Sequence, residues 1–117
     1  MTKPEFEFFD TETLPWRAVA EEPGVSQRVL AEDAATGMLT RLVRWDPGVS
    51  TLSAGPVTHE YFEEVMLLSG SLHDLRLNRT FVAGCYACRP PGMLHGPWET
   101  AEGCIMLETR YEQRLPR

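Results

Sequence analysis

The stretch "THEYFEEVMLLSG", residues 58–70, decides how this chain folds, because it suits either a helix or a strand. In a helix, Thr58 would be the N-cap and Gly70 would follow the C-terminus. The i, i+4 spacing would then place His59 and Glu63 on one face. However, the Val-Met-Leu-Leu run is apolar on every side, without the 3.6-residue stripe of a surface helix, and the chain beyond Gly70 again has strand character. We therefore predict a strand.

The strand prediction constrains how His59 and Glu63 could meet. Residues four apart in an extended chain are separated by about 13 Å, at roughly 3.3 Å per residue. Bonds from a metal ion to histidine or carboxylate ligands are only about 2 Å long. If both residues bind one ion, the chain must turn at residues 60–62, so that His59 ends one strand and Glu63 begins the next. Because side chains alternate across a strand, only one of Glu63 and Glu64 can point inward.

Turn signals, mostly glycines and Pro-Gly pairs, divide the rest of the chain into short segments. Short strands without long helical patterns between them indicate an all-β sandwich or barrel. The predicted strands are Val25 to Leu30, Met38 to Trp45, Glu64 to Leu68, Leu72 to Leu77, Cys85 to Arg89 and Cys104 to Arg110. We expect an N-terminal arm, residues 1–23, and a barrel domain, residues 24–117. The arm should pack on the barrel through its apolar residues, which are Phe6, Phe8, Phe9, Leu14 and Trp16.

The composition argues against several classes of protein. The chain has 117 residues, which fits one domain. Its net charge of −6 opposes binding to phosphate backbones, so we expect no nucleic-acid partner. No apolar run is long enough to span a bilayer. The acidic N-terminus does not resemble a signal peptide, and we predict a cytoplasmic protein.

Three cysteines, Cys85, Cys88 and Cys104, are present, and an odd number argues for reduced thiols. Cys85 and Cys88 form a C-x-x-C, but there is no second pair for a four-thiolate zinc site within one chain. A redox C-x-x-C usually opens a helix, whereas the preceding glycine and the following Arg-Pro-Pro favour a short strand here. We expect these cysteines to be ordinary core or surface residues.

A second stretch, "GCYACRPPGMLH" at residues 84–95, supplies partners for the first. Together the two stretches resemble the paired motifs of the cupins, G-x5-H-x-H-x3,4-E-x6-G and G-x5-P-x-G-x2-H-x3-N. The positions that match are His59, Glu63 and Gly70 in the first motif and Gly84, Pro90, Gly92 and His95 in the second. The resemblance covers roughly residues 24–110 and is strongest to the ChrR-like cupins, which share the double glutamate and a late Gly-Cys pair, here Gly103-Cys104. It implies a single-domain antiparallel jelly-roll β-barrel.

The sequence departs from the cupin motifs at two positions. Val57 replaces the first histidine of the first motif, and Glu99 replaces the asparagine of the second. Valine cannot bind a metal, so the resemblance implies a site built from His59, Glu63 and His95. Two imidazoles and one carboxylate resemble the facial triad of non-haem Fe(II) oxygenases. We expect a divalent metal, Fe(II) first, with Zn(II), Ni(II) or Mn(II) as alternatives, although loss of one ligand could equally mean loss of the metal.

Six further residues are candidates for roles around such a site. Those that could move a proton are Tyr61, Tyr86 and Glu99. Those that could line a substrate pocket are Arg89, Met93 and Trp98. Arg89 could pair with a carboxylate or enolate substrate or form a surface salt bridge, and Trp98 could equally belong to the core. The third histidine, His73, is predicted to be exposed on a strand.

The resemblance implies a metal-dependent enzyme that acts on a small oxygenated molecule. The leading expectation is dioxygenase-type C–C cleavage of a dicarbonyl, an enol or a hydroxylated aromatic, by analogy with acetylacetone-cleaving cupins. Alternatives are a redox-silent isomerase, lyase or decarboxylase, and a non-catalytic, sensor-like binding module. ChrR-like cupins come from anti-sigma factors, but the arm is too short for their zinc-binding domain, which argues against a sigma-factor partner. Because Val65 to Leu68 is apolar on both strand faces, the face that is turned away from the interior should be covered by the N-terminal arm or by a second subunit, and we expect a homodimer.

Overall fold

The computed structural model describes residues 2–112 of the chain. This part contains eight strands and two single-turn 3-10 helices, at Thr11–Thr13 and Leu52–Ala54. The strands are β1 (Arg17–Ala18), β2 (Val25–Glu32), β3 (Leu39–Trp45), β4 (Phe62–Asp74), β5 (Arg79–Val82), β6 (Tyr86–Arg89), β7 (Trp98–Glu99) and β8 (Cys104–Tyr111). The predicted all-β architecture is confirmed. No helix within residues 2–112 has the length and apolar character that crossing a membrane requires.

Strand β4 joins the two sheets because it takes part in both of them. Its first half lies between β8 and β6, and its second half lies between β5 and β7. From β8 the larger sheet continues through β3 and β2 to β1. All these pairings are antiparallel. The two sheets form the antiparallel barrel that the motifs imply.

The core lies between the sheets and follows the alternation of side chains along each strand. In β3 every second residue, from Leu39 to Trp45, is buried. The central cluster consists of Val25, Val43, Trp45, Val65, Leu67, Leu72, Cys104 and Met106. Burying one such valine or leucine contributes about 1.5–3 kcal/mol relative to leaving it exposed. A slip of one residue in register would turn these side chains outward, so the apolar pattern fixes which faces line the interior.

Gly70 does not mark the turn that the sequence indicates. Instead of two strands separated at Ser69-Gly70, β4 continues through this point, and its pairing with β8 shifts register between Leu67 and Ser69. Gly70 has a φ of 75°, and a Cβ at this position would lie 2.0 Å from the carbonyl oxygen of Gly103. Glycine is therefore required by a bulge and a close backbone contact. The turn comes later, at residues 75–78, so the predicted end of this strand at Leu77 is wrong.

Three strands of the structure were not predicted, namely β1, β5 and β7. Two of them have only two residues each. The third, β5, has four residues that are mostly exposed, so it lacks the alternating apolar pattern on which the prediction depends. The other strands agree with the prediction to within two residues at most ends, which is the usual uncertainty of element boundaries.

The apolar side chains of the N-terminal arm fall into two groups. Leu14 and Trp16 are half-buried against β2: Nε of Arg28 donates a 2.7 Å hydrogen bond to the Leu14 carbonyl oxygen, and the Arg28 guanidinium lies 4.3 Å from the centre of the Trp16 ring. The remaining three, Phe6, Phe8 and Phe9, are exposed, and Phe8 is completely so. Leu14 and Trp16 thus contact Arg28 of β2, whereas the three phenylalanine side chains remain exposed.

Candidate metal centre and substrate cavity

The backbone brings the two motifs together where the chain enters β4. It bends at Glu60 and Tyr61, and β4 begins at Phe62, so the predicted strand with a preceding turn is confirmed. Just before the bend, Val57 pairs with His95 in an isolated antiparallel bridge, with N–O distances of 2.8 and 3.0 Å in the two directions. This bridge places His59 and His95 side by side although they are far apart in the chain.

The three predicted ligands meet at one point. The Nε2 atoms of His59 and His95 lie 3.1 Å apart. The two Glu63 carboxylate oxygens lie 3.9 Å from His59 Nε2 and 4.0 Å from His95 Nε2. Two ligand atoms on one ion cannot be farther apart than about 4.2 Å when each bond is about 2.1 Å long. Each of these separations is within the limit, although the two Glu63 distances belong to different oxygens, Oε2 and Oε1. With one donor atom from each residue, the three atoms lie within 4.8 Å of one another, so a small inward shift of the side chains would let all three bind one ion.

The protonation states of the imidazoles also suit metal binding. Nδ1 of His95 lies 2.9 Å from the carbonyl oxygen of Met93, which can only accept a hydrogen bond. Nδ1 therefore carries the proton, and the Nε2 lone pair is directed toward His59. Burial, followed by the charges of His95 and Arg110, lowers the pKa of His59. A neutral imidazole is the form that ligates metals.

Glu63 is a buried carboxylate that two arginines keep ionised. Nη1 of Arg89 donates a 2.8 Å hydrogen bond to Oε1, and Nε of Arg110 lies 3.5 Å from Oε2. Burial by itself raises the pKa of Glu63, but the neighbouring Glu108 side chain and the two arginines outweigh it and lower the pKa below its ordinary value. The adjacent Glu64 lies on the outer face and accepts a hydrogen bond from the Tyr86 hydroxyl. Two imidazoles and one carboxylate form a donor set that fits a divalent metal.

Three charged residues beside Glu63 were not recognised from the sequence. They are Arg41, Glu108 and Arg110, all on the inner face of the barrel. Nη2 of Arg41 donates to Glu108 at 3.1 and 3.3 Å, and Nε of Arg110 donates to Glu108 at 2.7 Å. With Glu63 and Arg89 they form a continuous row across β3, β8, β4 and β6, which we call the charged belt. Strand parity could have revealed it, because Glu108 and Arg110 continue the inward series of Cys104 and Met106.

A cavity of about 420 Å³ opens beside the three donor atoms. Its wall includes the candidate ligands and every member of the charged belt. Of the predicted pocket residues, Arg89 and Trp98 line this cavity. A second, more apolar cavity of about 150 Å³ lies on the other side of these two residues, and Met93 and Tyr86 contribute to its wall. The predicted pocket residues therefore line two adjoining cavities rather than one.

The candidate proton-transfer residues occupy different environments. Tyr61 stacks on His59, with ring centres 4.7 Å apart and ring planes 8° from parallel. Burial raises the pKa of Tyr61. Tyr86 is exposed on the outer face, and Glu99 is exposed in β7 and lines neither cavity. His73 lies elsewhere on β4 and pairs with the Thr80 hydroxyl at 2.9 Å.

The cysteines occupy three kinds of position. Cys88 is exposed, Cys85 is half-buried, and Cys104 is buried in the core. Burial raises the pKa of Cys104 to about 11, although hydrogen bonds with Thr100 and with the backbone of Trp45 partly oppose the shift. The C-x-x-C lies on β6 and its approach, so the strand predicted there is confirmed.

Solved structures share this fold over most of the chain. An RmlC-like cupin from Shewanella frigidimarina is 19% identical, with a TM-score of 0.73, and the match covers 97% of this chain and 96% of that one. The polyketide cyclase RemF from Streptomyces resistomycificus is 22% identical, with a TM-score of 0.72 and coverages of 96% and 83%. An acetylacetone dioxygenase from Acinetobacter johnsonii is 18% identical, with a TM-score of 0.70 and coverages of 94% and 75%. Likeness at these identities shows the fold alone.

No curated protein matches this sequence. Among protein families, the one described as ChrR Cupin-like domain matches residues 5–112. The match spans both motifs, all eight strands and most of the N-terminal arm. The chain therefore belongs to the ChrR Cupin-like domain family.

Proposed function

We propose that this protein is a metal-dependent enzyme that acts on a small oxygenated organic molecule. The observation that carries the proposal is the convergence of His59, Glu63 and His95, whose donor atoms lie within 4.8 Å of one another at the wall of a 420 Å³ cavity. A cavity of this size is within the usual range for small-molecule sites, about 300–1,000 Å³. Two of the structurally similar cupins are described as enzymes.

The leading reaction is Fe(II)-dependent dioxygenation that cleaves a C–C bond in a dicarbonyl, an enol or a hydroxylated aromatic. Two histidines and one carboxylate are the donor set of non-haem Fe(II) oxygenases. The similar fold of an acetylacetone dioxygenase supports this choice of substrate class. When bound, the metal would supply a Lewis acid and open coordination positions.

The protein's own residues would orient the substrate and move protons. Arg89 reaches the cavity beside Glu63, with its guanidinium 5.0 Å from the centre of the Trp98 ring, so it can hold a substrate oxygen while Trp98 forms the wall. Tyr61 lies against a candidate ligand, and a phenol is protonated at neutral pH, so its hydroxyl can donate a proton. Among the three predicted proton carriers, Tyr61 is the one that stacks on a candidate ligand, although like Glu99 it lines neither of the two cavities.

A redox-silent reaction on the same site is the second candidate. Here Zn(II), Ni(II) or Mn(II) would stabilise an enolate during isomerisation, elimination or decarboxylation. Support comes from the fold shared with a polyketide cyclase and from Tyr61, since such reactions need a proton carrier rather than O2. A sensor-like module, the third alternative, would bind a ligand without turnover.

Metal analysis separates these possibilities. The purified protein, His95→Ala and His73→Ala would be reconstituted anaerobically with Fe(II), desalted and analysed for bound metal. We expect near-stoichiometric metal in the parent and in His73→Ala, whose histidine lies outside the site, and loss of metal in His95→Ala. O2 consumption with acetylacetone and other small dicarbonyls would then distinguish an oxygenase from redox-silent chemistry. Absence of metal from all three proteins would contradict the proposal.

We also propose that the protein forms a homodimer through the outer face of β4 and β6. Met66, Leu68 and Tyr86 are exposed on this face, and apolar side chains on adjacent strands form a surface that a second copy could cover. Light scattering would give about twice the 13.2 kDa chain mass for a dimer, whereas the mass of a single chain would remove the idea.

A further inference from the structure

The second cavity, of about 150 Å³, lies directly against the larger one. The two cavities share six wall residues, which are Val65, Leu72, Arg89, His95, Trp98 and Met106. Because His95 belongs to both walls, the second cavity lies beside a candidate metal ligand. A substituent on a molecule bound at the metal centre would therefore lie near the second cavity.

The two cavities differ in the chemistry of their walls. The wall of the larger cavity includes four glutamates and three arginines. The residues that line the second cavity alone are mostly apolar, and among them are Leu67, Leu77, Phe81, Ala87, Met93 and Leu94. A wall of this kind suits a hydrocarbon group, because removing apolar surface from water is favourable and needs no specific partner atom.

The charged side chains that reach the second cavity have partners within the protein. Asp74 accepts hydrogen bonds from two backbone N–H groups, at 2.9 and 3.0 Å. Nη2 of Arg76 donates to the Leu94 carbonyl oxygen at 3.2 Å. Arg89 donates to Glu63, and its Nε atom is buried. The second cavity thus offers a ligand mainly apolar contacts.

Part of the wall of the second cavity reaches the protein surface. Leu77, Tyr86, Met93 and Leu94 contribute to this wall, and each of them is between 44% and 55% exposed. Exposed apolar side chains are usually scattered singly, whereas a group of them around one space is typical of a ligand site. An apolar cavity of about 150 Å³ can hold a benzene molecule.

We propose that the second cavity binds the hydrocarbon part of the substrate, an aromatic ring or a short alkyl chain, while the oxygens of the substrate lie at the metal centre. This subsite rests on the proposed function and narrows its substrate class to oxygenated molecules with an apolar group of about six carbon atoms. Arg89 and Trp98, whose guanidinium and ring centre are 5.0 Å apart, would lie between the two ends of the substrate.

Two diketones that differ in one substituent test the subsite. Benzoylacetone has a phenyl ring where acetylacetone has a methyl group, and both present the same pair of oxygens. Each would be titrated by calorimetry into metal-free protein and into Zn(II)-loaded protein, in which the diketone is not oxidised. We expect benzoylacetone to bind about tenfold or more tightly, because the ring is removed from water. Toluene, which has no oxygens, should shift the NMR signals of residues around the second cavity.

Matched alanine variants assign this preference to one cavity. Ala87 lines the second cavity alone, and Ala54 lines the larger cavity alone. Ala87→Leu fills the second cavity, so we expect it to bind the two diketones with equal affinity and not to bind toluene. Ala54→Leu should keep the preference for benzoylacetone.

A polar substitution in the exposed part of the wall gives a second test that does not add volume to the cavity. Met93→Gln keeps the length of the side chain but adds an amide, so it should reduce the preference for benzoylacetone by about threefold. Met66→Gln is the matched control, because Met66 is also exposed but lines neither cavity.

The outcomes separate the subsite from the metal-dependent function. Equal affinities of the two diketones for the parent protein overturn the subsite, as does a preference that both Ala87→Leu and Met93→Gln retain. Toluene binding without a preference for benzoylacetone also overturns it, since the second cavity would then be separate from the substrate site. Failure of the parent protein to retain metal contradicts the proposed function, whereas the affinities measured without metal still decide the subsite. NMR spectra would show that each variant is folded.

Discussion

Arg89 donates a 2.8 Å hydrogen bond to Glu63, the carboxylate whose oxygens face the two imidazoles of the candidate metal centre. The same interaction could hold Glu63 in position for a metal or compete with the metal for its oxygen. Each carboxylate oxygen has two acceptor positions, so one oxygen can accept from Arg89 and still bind an ion. We therefore infer that the hydrogen bond from Arg89 orients Glu63 for metal binding.

Arg89→Met should then lower metal affinity by about 10- to 100-fold, which is the usual effect of removing a group that orients a ligand. Competition with a chromophoric chelator would measure it, with Arg79→Met as the control, since Arg79 is exposed and lies over Phe81. Tighter metal binding by Arg89→Met would show that the arginine competes with the ion.

Val57→His should strengthen metal binding. Val57 lines the cavity beside the candidate ligands and occupies the position where the cupin motif has its first histidine. A fourth ligand there should raise affinity on the order of tenfold or more. Val49→His is the matched control, because Val49 lines the same cavity without belonging to either motif. Equal chelator-competition results for the two variants would mean that position 57 does not face the metal centre.

Gly70→Ala should destabilise the fold by on the order of 2–4 kcal/mol, because the methyl group would meet the Gly103 carbonyl and the backbone has a positive φ. Gly84→Ala separates the two causes. Gly84 also has a positive φ, 93°, but nothing lies within 4 Å of a Cβ placed there. Gly84→Ala should lower the free energy of unfolding only through the unfavourable positive φ, by about 1 kcal/mol. Urea unfolding of both variants measures the difference, and equal losses would contradict the steric explanation.

The free energy of unfolding should decrease at high pH because the Cys104 thiol is buried. The buried thiol keeps its proton up to a pKa of about 11, whereas the thiol of the unfolded chain ionises near 9.0. The stability that the protonated Cys104 thiol contributes is therefore complete below about pH 9. It is lost as the pH rises toward 11, because ionisation of the thiol then favours the unfolded chain. Between these pH values, stability should fall more steeply in the parent protein than in Cys104→Ala. Parallel pH profiles would show that Cys104 does not contribute.

Iodoacetamide gives an independent check of cysteine burial. At pH 8 it should leave Cys104 unmodified in the native protein, whereas Cys88, on the outer face of β6, should react in a single chain and be protected in the proposed dimer. Mass spectrometry of the digested protein locates the adducts. Rapid modification of Cys104 without denaturant would contradict its burial.

The fold could be predicted from the sequence wherever a residue type has a single usual structural role. Turn signals delimited the segments that form β3 and β8, and the spacing of His59, Glu63 and His95 predicted that they meet. Gly70 was misread because glycine serves turns and bulges alike, and only the approach of the Gly103 backbone distinguishes the two.

The charged belt was harder to predict than the ligands. A Glu-x-Arg pair on a strand, such as Glu108 and Arg110, ordinarily lies on a solvated face. Strand parity with Cys104 and Met106 indicates its inward direction, but the contact with Glu63 follows only from the register between β8 and β4, which are distant in the chain. Arg41 shows the same difficulty, because its partner on β8 is 67 residues away.

The backbone bridge between Val57 and His95 has a consequence for how the protein would acquire its metal. The bridge, the hydrogen bond from His95 to Met93 and the arginines around Glu63 are all contacts between protein groups, and together they place the donor atoms. Binding would therefore require little ordering of the chain, unlike in a zinc finger, whose fold depends on its ion. Ions could exchange at a folded site, and the metal found in a given cell would reflect relative supply and affinity rather than the ion present when the chain folded.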